Sequence, residues 1–131
     1  MELKKFIDYG NDEPLTFKMF SGISNDAYIN IWKDKNLKDR LTNVTSDFNF
    51  ALDYSYNFET GEYDDVVIEI SNIPLDAFVA YRRNNYKDDD DFKSMNKMKS
   101  DKKIETINKY QLFLVDLFPY INQINIKKCE N

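Results

Sequence analysis

Four adjacent carboxylates, Asp88, Asp89, Asp90 and Asp91, are the densest set of charged groups in the chain. Such a run could hold a divalent cation through oxygen ligands, or offer negative charge to a basic partner. A calcium loop is disfavoured, because the Gly of its sharp turn and its closing Glu are missing at the required offsets. The surrounding stretch, residues 82–106, mixes eight Lys and Arg with six Asp and Glu, which suits a solvated surface loop or short helix. Cys129 is the lone thiol, and thiolate catalysis wants an imidazole that a chain without His cannot supply. The absence of His also removes the commonest zinc ligand and the commonest neutral-pH base, so no metal site is expected. Thr45, Ser46 and Asp47 gather side-chain oxygens just before an apolar stretch. Ser46 or Asp47 there can accept the free N–H groups of a helix's first turn.

The elements that would position these groups can be read from periodicity. Residues 1–14 are expected to form a short helix or an irregular N-terminal arm, stopped at Gly10. Leu15 to Phe20 alternates apolar and polar residues, as a half-buried strand does, and Ser21-Gly22 is expected to break it. A helix capped by Ser24, Asn25 or Asp26 is expected to run to about Lys38, with Tyr28, Ile31 and Trp32 as its buried stripe. Residues 40–44 form a short strand. Phe48, Ala51 and Leu52 then give one apolar face of a second helix. Val66 to Ile70 is β-branched and almost wholly apolar, as a strand covered on both faces would be. A turn around Pro74 follows. Residues 110–115 form another apolar strand, and Tyr120 to Ile126 an edge or hairpin strand ended by Lys127-Lys128. Phe48, Phe50, Tyr54, Tyr56 and Phe58 are expected in the core rather than as a base-stacking platform.

The chain has 131 residues, 42% hydrophobic and 15% aromatic, which suits one folded domain spanning residues 1–131. The fold class expected is α+β, a mixed or antiparallel split β-sheet with two or three helices. A net charge of −5 disfavours direct nucleic-acid binding, which needs cations against phosphates. No apolar run approaches the roughly 20 residues of a membrane span, and no secretory signal opens the chain, so a cytoplasmic location is expected.

Phe20-Ser21-Gly22, Asn43-Val44-Thr45 before a helix with Ala51-Leu52-Asp53-Tyr54, Val67-Ile68-Glu69-Ile70 before a Pro turn, and Tyr110-Gln111-Leu112 occur in a telling order. It resembles the small phage and bacterial ADP-ribosyltransferases of the Arg-Ser-Glu class. That resemblance implies a split-sheet fold with an NAD cleft over residues 15–126. It maps the family's aromatic-Arg-Gly step onto Phe20-Ser21-Gly22, its Ser-x-Ser or Ser-x-Thr onto Asn43-Val44-Thr45, and its Glu-x-Glu onto Tyr110-Gln111-Leu112. Ser21, Gly22, Thr45 and Gln111 therefore stand at degenerate NAD-cleft positions. The Arg that grips phosphate and both glutamates are replaced by uncharged groups. A neutral side chain does not supply the charge that stabilises the cation formed as the glycosidic bond breaks.

The function expected on this resemblance is that of a non-catalytic ADP-ribosyltransferase-like protein of phage or mobile-element type, with no cofactor. It would inhibit a host or defence protein by direct binding. Tyr63, Tyr81, Tyr86 and the Asp88 to Asp91 run are the candidate contacts for a basic partner surface. Two alternatives are an active mono-ADP-ribosyltransferase using NAD with a relocated acid, from Asp116, Glu69 or the segment 82–106, and an acidic mimic of nucleic acid.

Overall fold

The alternation of β1 (Thr16–Ile23) is realised as a strand that turns Phe17, Met19 and Ser21 inward and Thr16 and Lys18 to solvent. The structure is a computed structural model that describes residues 16–82 and 112–129, with only the backbone of Tyr81 and Arg82. The N-terminal arm and most of the charged segment 82–106 lie outside the described residues. Ser21-Gly22 does not end β1, which continues to Ile23. Gly22 is instead a packing glycine: a Cβ there would overlap the backbone carbonyl of Ala51 and stand 3.1 Å from the Ser55 nitrogen.

Among the described residues, two short α-helical segments and eight strands make a mixed α+β fold in which every strand pair is antiparallel. Ser24 caps α1 (Asn25–Ala27), its hydroxyl accepting the Ala27 N–H at 3.1 Å. The helix was expected to reach Lys38. It widens into a π-type turn over Tyr28–Trp32, with the Lys33 N–H on the Tyr28 carbonyl, and stops there. Lys35 and Asp39 then adopt positive φ angles of 53° and 58°. Trp32 is buried, and Tyr28 and Ile31 pack on the core as their spacing required.

One sheet has the order β1, β5 (Val66–Pro74), β8 (Asn125–Lys128). Val66, Val67, Ile68, Ile70 and Ile73 are all buried, so β5 is the doubly covered strand its composition required. β8 is an edge strand, as expected, but it begins only at Asn125. Pro119 sits inside a 3-10 turn, Phe118–Tyr120, and that turn takes up the residues before it. Lys127 and Lys128 lie within β8 rather than ending it, and an edge carrying lysines resists pairing with another chain.

The second sheet has the order β2 (Leu41–Val44), β7 (Leu112–Asp116), β6 (Phe78–Arg82). β6 was read only as the exit from the Pro74 turn. A 3-10 turn, Leu75–Ala77, reverses the chain, so Phe78 enters a strand. Phe78 is the centre of the core. Its ring meets Phe17 of the first sheet at 5.0 Å and Phe113 of the second at 5.4 Å, both edge to face.

Besides their packed side chains, the two sheets share one reciprocal backbone pair among the described residues. The Phe20 N–H donates to the Thr45 carbonyl at 2.7 Å, and the Thr45 N–H to the Phe20 carbonyl at 2.8 Å. The next step of a ladder is replaced by a side chain, the Ser21 hydroxyl donating to the Asn43 carbonyl at 2.9 Å. β1 and β2 part beyond it, and α2 (Phe48–Leu52) packs against β1, Gly22 lying under Ala51. Among the described residues no helix is long and apolar enough to cross a membrane.

Candidate functional site

The parting of β1 and β2 opens a cleft of about 220 Å³. Ser21 and Gly22 line one wall, Thr42, Asn43 and Thr45 the other, and Arg40, Tyr54 and Leu112 stand around them. Three of the four positions mapped from sequence, Ser21, Gly22 and Thr45, thus come together, while Gln111 lies outside the described residues. Among the lining residues outside the mapped motifs, Arg40 and Thr42 are polar. Arg40 brings a guanidinium to a cleft from which the mapping had removed the cation. Thr42 is 7% exposed, and its Oγ1 is buried with no hydrogen-bond partner among the described residues.

The local chain explains this geometry. Thr42 and Val44 share the inward face of β2, so the alternation that buries Val44 also buries the Thr42 hydroxyl. Asp47 caps α2, its carboxylate accepting the Phe50 N–H at 2.9 Å, and so resolves the choice between Ser46 and Asp47. The Ser46 hydroxyl is left buried and without a partner among the described residues. An orphaned buried hydroxyl costs about 1 kcal/mol or more. Thr42→Val should therefore raise the stability of the free protein by about 1 kcal/mol, read as a higher urea midpoint at unchanged m-value. A fall in stability would show that Oγ1 has a partner in solution.

No Asp or Glu lines the cleft among the described residues. Glu69, one candidate for a relocated acid, sits on β5 with its carboxylate 3.7 Å from the Lys18 amine. It borders a separate surface concavity with Phe48, Lys127, Lys128 and Cys129. Asp116, another candidate, ends β7 opposite Leu41 and accepts the Phe118 N–H at 3.4 Å, while most of the segment 82–106 lies outside the described residues. Among the described residues no cluster of three or more His, Cys, Asp or Glu is disposed to hold a metal, and Asp88 to Asp91 lie outside them.

Burial pushes the Cys129 thiol above its ordinary range, the Glu69 carboxylate adds to the rise, and Lys127 and Lys18 oppose it. The folded chain then holds the thiol proton more tightly than the unfolded chain. The associated stability is complete below the unfolded thiol pKa and is lost as pH rises through the folded value. Alkylation at about pH 8.5 should be slower in the native protein than in urea, and Glu69→Gln should move the pH–rate midpoint downward.

The second feature is a hairpin, β3 (Tyr56–Asn57) and β4 (Glu62–Tyr63). The five aromatic residues expected in the core are not buried. Phe48, Phe50 and Tyr56 are half-buried, Tyr54 is exposed, and Phe58 is 90% exposed. α2 ends at Leu52, so the chain leaves the core surface and the rings pack on one another. Tyr56 meets Phe58 at 4.9 Å and Tyr63 at 5.2 Å, edge to face. Tyr63 is exposed as expected, β6 carries Tyr81, and Tyr86 lies outside the described residues.

Polar bonds hold the hairpin in one shape. The buried Asn57 amide oxygen accepts the Glu59 N–H at 2.9 Å, and its nitrogen donates to Asp64 at 3.0 Å. The same Asp64 oxygen accepts the Asn25 N–H at 2.8 Å, tying the hairpin to α1. Gly61 supplies the positive φ of 74° that closes the loop. A sequence signal for this surface existed: residues 41–81 hold eight carboxylates and no Lys or Arg. The fold places Glu59 and Glu62 in the open beside Phe58 and Tyr63. No family model, curated protein or solved structure matches this chain.

Proposed function

We propose that this chain is a non-catalytic binding protein of ADP-ribosyltransferase-like architecture that acts by docking onto a host or defence protein. What supports this reading most is the lining of the β1–β2 cleft. Breaking a glycosidic bond to nicotinamide develops positive charge, and a preorganised carboxylate is worth several kcal/mol of barrier there. The described lining presents hydroxyls, an amide and the Arg40 guanidinium, whose charge has the wrong sign for that task. At about 220 Å³ the cleft is also smaller than the roughly 300–1,000 Å³ typical of small-molecule sites.

Incubation with biotinylated NAD and a host lysate tests this reading directly. The expected result is no label on any protein above a heat-killed control, together with capture of a specific protein by the immobilised chain. Label transfer that disappears in Asp116→Ala or Glu69→Gln would overturn it in favour of an active transferase.

A further inference from the structure

Phe58 stands 90% exposed and Tyr63 56% exposed on a hairpin braced by Asn57 and Asp64. An aromatic surface this open is a contact surface in waiting, because large rings contribute most to interfaces when they become covered. The charge around it selects what covers it. Glu59 and Glu62 flank the rings, and no cation occurs in the chain from residue 41 to 81. Phosphate backbones and anionic headgroups are repelled by such a surface. A second copy would bring like charges face to face across a two-fold axis.

We infer that the β3–β4 hairpin docks an arginine-rich segment of a partner protein. A guanidinium plane stacks on the faces of Phe58 and Tyr63 while its N–H groups pair with Glu59 or Glu62 carboxylates. Lysine, a strongly hydrated point charge, satisfies only half of that arrangement. Because the hairpin is held in shape before binding, little ordering cost falls on this side of the interface. This docking role rests on the binding-protein reading above, and supplies the chemistry of its partner.

The test is fluorescence anisotropy of the full chain with a labelled oligo-arginine peptide, an oligo-lysine peptide of equal length and a neutral peptide. Oligo-arginine should bind severalfold more tightly than oligo-lysine, and the neutral peptide not measurably. Phe58→Ala should weaken binding about tenfold, and Glu59→Gln with Glu62→Gln by a similar factor. Asp76→Asn should stay within about twofold, because β5 runs nine residues, roughly 30 Å, between Asp65 and the Asp76 turn. Phe58 is too exposed for its removal to disturb the fold, which circular dichroism confirms or denies. Equal binding by Phe58→Ala, equal binding of the two cationic peptides, or a dimer in light scattering that Phe58→Ala abolishes would each overturn the proposal. The assay contains neither NAD nor lysate. A failed peptide result therefore leaves the label-transfer outcome standing, and label transfer would not alter the peptide result.

Discussion

Phe78→Ala is expected to destabilise the protein by about 4 kcal/mol, the range for emptying a fully buried aromatic site. Phe78 has no solvent exposure, and its ring is clasped between Phe17 and Phe113 from different sheets. Removing it leaves a cavity where side chains of both sheets share a partner. Close-packed neighbours relax only partly around such a void, so most of the lost contact is not regained. Against a total stability of about 5–15 kcal/mol, the melting temperature should fall by roughly 15 °C. Phe78→Leu should cost less than half as much, since most of the volume is kept. A fall of under about 1 kcal/mol for the alanine variant would mean that the rings are not packed as described.

Gly22→Ala is the second large effect, expected at about 3 kcal/mol, the upper end for overpacking. The substitution adds one methyl group, and in an open strand it would be neutral or mildly favourable. Here the methyl meets the carbonyl of Ala51, which is backbone and cannot rotate away. Relief requires α2 to move off β1, which would disturb the Phe20–Thr45 bridge and the cleft together. Thermal unfolding gives the size of the loss. Amide chemical shifts of residues 43–55 give its location. A near-neutral variant with unchanged shifts would refute the close approach.

The strands were legible where one face or both faces are buried. β1 and β5 show it plainly, since their alternation and their apolar run are direct imprints of burial. β6 was not legible because Pro74, a turn residue, precedes it and the reversal is completed by only three residues. The first helix was overextended because its Lys-rich tail has good helix propensity. The π-type turn and the positive φ at Lys35 are settled by how Trp32 and Leu37 reach the core. Ser21, Gly22 and Thr45 stand in quoted motifs and line the cleft together. Arg40 and Thr42 stand in none of those motifs, and although alternation turns Thr42 inward, what it faces depends on how β1 and β2 are set against each other. The aromatic hairpin was misread for a simpler reason. Hydrophobicity alone places Phe58 inside, whereas α2 stops too early to carry it there.

The lone Phe20–Thr45 pair between the two sheets has a consequence for dynamics. Each sheet is secured by its own ladder, but among the described residues the backbone seam holds one reciprocal pair of amides and the Ser21 hydroxyl. Deuterium uptake at those two amides therefore times how often the sheets part, separately from global unfolding. Their protection relative to the β5 ladder is a clock for breathing of the seam, and a ligand or partner that bridges the two sheets would slow it.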